Sequence, residues 1–409
     1  MPSNALSPTS TPTNLYFEEM TDEDEGSSTN SRTTNGLHLI CKTSVLKPAF
    51  FAGGGGSSLS IAIDRVYVFG GCNRNGLCSS ALTCFDIATS SWVESAGDHS
   101  SAPSARHGHS LLSNGTKLIV FGGQSAPSST SPSVSLNDLH VYDTQTNVWS
   151  CLDQGSGEDE SAEEYYGQAL RPMPRNSQSI VVSNGKAILF GGANAEVGPM
   201  NDMWALDLRQ LDEIDVDSCK AGEHQLPWER IGGGHDDAKD KTDDASGHGA
   251  TPWPEAREMH SACIVPLNES PDDGKDHVGM LLMGGRKADG TTCRELWLFD
   301  IQTQNWMQLT GAAQPRCSHT SVYLPNENVV TFFGGWDGAG TVFGDILCFD
   351  LTSESWIDLD PTTIHGDHIP ERFAHAACED GTGNGLYIVG GVNAENDLQD
   401  LVHISLNRK

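Results

Sequence analysis

The stretch KLIVFGGQ, Lys117 to Gln124, carries four consecutive apolar residues straight into a pair of glycines. The passage recurs as RVYVFGGC (65–72), KAILFGGA (186–193), GMLLMGGR (279–286), VTFFGGWD (330–337) and LYIVGGVN (386–393). A strand that is apolar on consecutive rather than alternate residues is buried on both faces, as when one sheet lies between two others. Glycines end such a strand where the backbone turns with positive φ, or where another chain passes too close for a Cβ.

Further marks keep step with the glycines. A second apolar strand follows each turn and ends in Asp86, Asp143, Asp207, Asp300 or Asp350. From second glycine to aspartate is 15 residues in four repeats and 20 in the second, which carries a Ser/Pro insertion. Tryptophan follows six residues later at Trp92, Trp149, Trp306 and Trp356, and an insertion delays it to Trp228 in the third repeat. Upstream of the glycines, from the second repeat on, stand PSARHGHS, PMPRNSQS, PEAREMHS, QPRCSHTS and PERFAHAA. Each repeat therefore reads as four short strands: a (Arg-x-x-His), b (into Gly-Gly), c (ending in Asp) and d (around Trp). The tryptophan is a large apolar wedge suited to the gap between adjacent sheets.

These residues resemble the kelch-repeat family over the chain from Leu37 to Leu406. The resemblance implies an all-β fold, a six-bladed kelch β-propeller of four-stranded antiparallel blades around a central channel. The sixth repeat has Ser405 in place of the aspartate and no strand d before Lys409. LHLICK, Leu37 to Lys42, reads as the missing strand, so an N-terminal strand is expected to complete the last blade at its outer edge.

The formal charge of −31 argues against binding nucleic acid or inserting into an anionic membrane surface. No segment approaches the roughly 20 apolar residues of a membrane helix. The first residues show no signal-peptide pattern, so a cytoplasmic protein with free thiols is expected from its eleven cysteines. Residues 1–36 read as a disordered acidic Ser/Thr-rich tail, and residues 37–409 as the propeller. Insertions fall at about 124–136, which is Ser/Pro-rich, and at about 153–170, 208–254 and 268–277, which are acidic. Tyr165 and Tyr166, set in one of these acidic stretches, are the most partner-like loop residues.

In the kelch geometry strand a begins at the channel mouth. Arg106, Arg175, Arg257, Arg316 and Arg372 are then expected to form an incomplete ring there, with Phe51 at the position in the first blade. His109, Gln178, His260, His319 and His375 follow one layer deeper. One reading makes these framework residues that bond to loop carbonyls. The other makes the guanidiniums an anion-recognising bowl, as in kelch substrate adaptors that hold acidic peptides, with the protein's own acidic tail as another candidate occupant.

The enzymatic alternative is an iron-dependent protein like the nitrile-specifier kelch proteins, whose E-x3-D-x3-H spacing Glu269, Asp273 and His277 reproduce. Here that motif falls in an a–b loop on the opposite face, so a solvated loop is expected. His235 and His248 fit no tetrahedral template, and neither metal nor cofactor is expected. The reading is a non-enzymatic protein-binding scaffold or adaptor of the stand-alone kelch type, serving as an effector in trafficking or as a ubiquitin-ligase substrate receptor. Its expected partner is a protein, with an acidic peptide segment as the candidate for the bowl.

Overall fold

The structure, a computed structural model, describes residues 41–46, 54–94, 101–127, 132–155, 171–212, 226–233, 252–267, 277–359 and 364–407. The tail (1–36), most of the acidic insertions, Tyr165 and Tyr166 lie outside them. So do Glu269, Asp273, His235 and His248.

Six antiparallel sheets follow one another along the chain. Blade one is Gly55–Ala62, Arg65–Cys72, Leu82–Asp86 and Ser91–Glu94, paired in that order. Blade two uses Ser110–Asn114, Lys117–Ser125, Ser135–Asp143 and Val148–Asp153, and Arg106–His107 adds a short pairing to its second strand. Blades three to five repeat the plan, with second strands Lys186–Phe190, Val278–Met283 and Val329–Trp336. Blade six holds Ala376–Glu379, Gly385–Val389 and Leu401–Ser405. These sheets make the six-bladed propeller.

The local signals do what their chemistry dictates. The carboxylates of Asp143, Asp300 and Asp350 accept backbone N–H bonds from residues two and three positions on, which sets the c–d turn. The b strands are buried along their lengths, for instance Leu118 to Phe121. The apolar core is not one mass but six clusters, each shared by two neighbouring blades. The last joins Leu59, Val66, Val68 and Phe85 of blade one to Tyr387, Val389 and Leu401 of blade six. The tryptophans wedge between blades as expected. Trp149, Trp228 and Trp306 lie 5.5, 4.9 and 5.3 Å from Phe69, Phe121 and Phe190 of the preceding blade.

The innermost backbone closes on itself. Gly108 N donates to Gly56 O, Ser177 to Gly108, Met259 to Ser177, Ser318 to Met259, Ala374 to Ser318 and Gly56 to Ala374, at 2.7–2.9 Å. All six residues have φ between 54° and 73°. One left-handed residue per blade thus turns an N–H toward the blade before it.

The glycine pairs have the same origin. A Cβ on Gly284 would meet Arg316 O at 2.4 Å, and one on Gly334 would meet Arg372 O at 2.5 Å. The second glycine then donates its N–H to that arginine carbonyl, as Gly285 does to Arg316 at 3.0 Å. Gly-Gly is the place where the next blade's first strand lies against the backbone, so no side chain fits.

The N-terminal pairing differs from expectation in two ways. The strand is Cys41–Leu46, four residues beyond the Leu37–Lys42 stretch, and it pairs antiparallel with Leu401–Ser405. It is also not outermost, because Ile364–Gly366 lies parallel on its far side.

Candidate functional site

Arg106, Arg175, Arg257, Arg316 and Arg372 start strand a in blades two to six, and their side chains are 0–1 % exposed. Each guanidinium is neutralised inside its own blade, by Asp138, Asp202, Glu295, Asp345 and Asp400 respectively, at 2.6–2.8 Å. Four of these pairs are bidentate. Nη1 also donates to the carbonyl of the first glycine, at Gly122, Gly191, Gly284, Gly334 and Gly390. In Arg106 all five N–H groups are used.

The exposed bowl of five guanidiniums is therefore corrected. The side chains are sequestered because each of these five blades supplies a carboxylate five residues before the end of its strand c. The first blade's equivalent position is Gly54 rather than Phe51, since Gly55 pairs with Cys72 as His107 pairs with Gln124.

The layer beneath joins blades. His260, His319 and His375 each hydrogen-bond through Nε2 to a hydroxyl of the preceding blade: Ser179, Ser261 and Thr320, at 2.8–2.9 Å. Gln178 reaches Ser110 in the same way at 3.2 Å. Burial, with the neighbouring arginine charge, pushes the imidazoles of His109, His260 and His375 down to about 3 and His319 well below its usual value. These rings are neutral at physiological pH.

His140 in blade two is the opposite case. Burial alone would lower it, but Asp138 at 3.0 Å raises it to about 9.

His277 belongs to no metal site among the described residues. Its Nε2 lies 2.9 Å from Asp300, at the end of strand c. No cluster of three or more His, Cys, Asp or Glu able to hold a metal occurs among the described residues.

What remains at the mouth is the ring of residues just after each arginine, paired with the residue just after Gly-Gly. One arc is polar: His107 with Gln124, Asn176 with Ala193, and Glu258 with Arg286 in a 2.6 Å ion pair. Lys287 extends that arc and is bonded to Glu255 at 2.6 Å. The other arc is apolar. Trp336 and Phe373 lie with rings 6.3 Å apart at 33°, and Val392 pairs with Phe373. These three are half-buried.

Between the arcs lies an open central space of about 270 Å³, lined by His107, Gln124, Asn176, Met259 and the buried histidines. The turns around it are stiffened by side chains. Asn73 accepts N–H bonds from Asn75 and Leu77, and Asp337 accepts three, from Ala339, Gly340 and Thr341.

Sequence reasoning singled out the arginines and histidines but missed the carboxylates. A signal existed. Five residues before the end of strand c stand Ala81, Asp138, Asp202, Glu295, Asp345 and Asp400. The one repeat without the acid is the one without the arginine.

The KLHDC2/KLHL20/DRC7 Kelch-repeats domain matches residues 47–170 and 241–409. Tip elongation aberrant protein 3 of Schizosaccharomyces pombe is 28% identical over 40% of this chain and 16% of its own length. Acyl-CoA-binding domain-containing protein 5 of Arabidopsis thaliana is 25% identical over 75% of this chain and 39% of its own. Human host cell factor 1 is 27% identical over 80% of this chain and 15% of its own. The chain thus spans well under half the length of these relatives.

Proposed function

Because the chain belongs to the kelch-repeat family, we propose that it is a non-enzymatic protein-binding module that takes its partner on the channel mouth. The observation that carries this is the division of labour among the central side chains. The arginines, the groups most suited to anion binding, are committed to carboxylates of their own blades, and the deep histidines to the blades before them. The half-buried Trp336, Phe373 and Val392, beside the partly exposed Arg286, are left to face a ligand. An aromatic anchor with a charged neighbour on a rigid rim is the composition of an interface hot spot. The partner's matching features are an apolar side chain for the Trp336–Phe373 arc and an acidic or carbonyl group for Arg286 and Lys287. An acidic peptide segment thus keeps its place as the candidate ligand, now read by mouth residues rather than by the buried arginines. Adaptor roles in trafficking or ubiquitin-ligase substrate reception, in the cytoplasm, both fit, and the captured partner decides between them.

The test compares native-lysate captures by wild type, Trp336→Ala/Phe373→Ala and Ile63→Ser, the last in an a–b turn on the opposite face with Ile63 65% exposed. A protein held by wild type and Ile63→Ser and lost by the aromatic double variant, with unchanged melting, supports the reading. Captures identical across all three sink it.

We also infer that the N-terminal strand is the ring's closing element. The support is its five-residue antiparallel register with Leu401–Ser405, against a blade whose remaining strands all come from the C-terminal end.

A further inference from the structure

Blade one's mouth turn brings two thiols face to face. Cys72 follows Gly70 and Gly71, Cys78 stands on the returning chain, and the two are opposite each other in an antiparallel bridge. Asn73 N donates to Leu77 O at 3.0 Å on one side, and Ser79 N to Gly71 O at 2.9 Å on the other. Cys72 and Cys78 are therefore a non-hydrogen-bonded pair, the kind in which Cα atoms lie about 4.5 Å apart and side chains approach most closely. A disulfide spans Cα separations of about 4.4–6.8 Å, so a pair of this kind lies within the range of the bond. Both residues are half-buried, within reach of a small reagent.

We propose that Cys72 and Cys78 form a dithiol that closes reversibly to an intrachain disulfide, making the blade-one turn a redox-modified element of the mouth. A small-molecule disulfide, RSSR, serves as oxidant. One of the two thiols, as its thiolate, attacks one sulfur of RSSR, forming a mixed disulfide and releasing RS⁻. The other sulfur, losing its proton, then displaces the second RS⁻ and forms the Cys72–Cys78 bond. Two protein thiols and one RSSR give one protein disulfide and two RSH. Burial first, and the Cys72 sulfur next, push the Cys78 thiol up to about 12, as befits two thiols in close contact.

The turn is tied across the seam between the first and last blades. Arg74 donates its backbone N–H to the Asp397 carboxylate and Nη2 to Asn393 O, each at 3.2 Å. Oxidation thus fixes a segment already bonded to blade six and carrying Leu77, which is 68% exposed. The proposal stands whether or not the mouth takes a protein partner.

The test incubates the folded, reduced full-length chain with oxidised glutathione, alkylates remaining thiols and digests with trypsin without reduction. Trypsin cuts after Arg74, so the expected bond joins two peptides, and fragmentation assigns it to Cys78 rather than the buried Cys84. In wild type most of the Cys72 signal is expected in the linked pair, reversed by reductant. Cys78→Ser is expected to stop at a glutathione adduct on Cys72. Glutathione adducts in wild type with no linked peptide, or both cysteines alkylated throughout, overturn the proposal.

Discussion

Blade one and blades two to six share a strand plan but not a centre. The later five blades each bury an arginine against a carboxylate; blade one has Gly54 and Ala81 at those positions. Blades three to six carry a histidine or glutamine that bonds back to a hydroxyl of the blade before; blade one has Ser57, facing a blade six with Ala376 where the hydroxyl stands elsewhere. The seam between first and last blades therefore rests on the apolar cluster, on the Gly56–Ala374 and Gly391–Gly54 backbone bonds and on the Arg74–Asp397 contact. The difference teaches that arginine and acid are one unit. A blade keeps both or drops both, because either alone leaves a buried charge without its partner.

The largest expected effect tests that unity. Arg372→Ala leaves Asp400, 9% exposed, without its partner and is expected to cost about 3–5 kcal/mol in urea unfolding. Arg372→Ala with Asp400→Ala reproduces the blade-one solution and is expected to recover roughly 1–3 kcal/mol of that loss. A double variant no better than the single one breaks the comparison, since it makes the arginine's worth a matter of packing alone.

Next comes the seam. Deleting residues 1–36 is expected to leave the melting temperature unchanged. Deleting 1–46 removes the five-residue register with Leu401–Ser405 and is expected to cost about 2–5 kcal/mol, at about 0.5–1.5 kcal/mol per hydrogen bond. Equal stability of the two truncations shows that the ring holds without the N-terminal strand.

The histidine layer gives a pH signature. Its folded-state pKa values lie below the unfolded value near 6.5, so the unfolded chain takes up protons that the native one refuses. Stability is thus full above about pH 6.5 and falls as the pH drops toward 3. His140, raised to about 9, acts in the other sense: its contribution is full below about pH 6.5 and lost as the pH rises through 9. Blade three already uses Gln178 at this position, so His319→Gln is expected to fold and to shallow the acid slope by up to about 1.4 kcal/mol per pH unit. An unchanged slope places the titration elsewhere.

Much of this was legible because the repeats print the same residues in register. Gly-Gly, Asp and Trp are each forced by one local demand: a backbone crossing, a turn, a wedge. The arginine's role was half legible. Its burial follows from a carboxylate on another strand, and only alignment of the repeats on strand c exposes the pairing. The N-terminal strand is expected four residues early because LHLICK is the more apolar stretch, whereas the backbone pairs through the more polar CKTSVL. Gly54 was hidden in a run of glycines, where no side chain marks the register.

The smallest effect concerns the closed hydrogen-bond ring itself. Blades one and two place Gly56 and Gly108 at the left-handed position; the others place Ser177, Met259, Ser318 and Ala374 there. A left-handed non-glycine residue is strained by roughly 1 kcal/mol, while glycine adds freedom to the unfolded chain that offsets part of the relief. Ala374→Gly is therefore expected to be neutral to slightly stabilising, by no more than about 0.5 kcal/mol. Gly56→Ala is not the mirror image. Its Cβ would come within 3.1 Å of Gly108 N and of the His107 Cβ, so crowding adds to strain and a loss above about 1 kcal/mol is expected. Equal and opposite shifts would show that backbone strain alone governs the ring. An asymmetric pair would show that blade one needs its glycine for the close approach of blade two, the same demand that sets the Gly-Gly pairs.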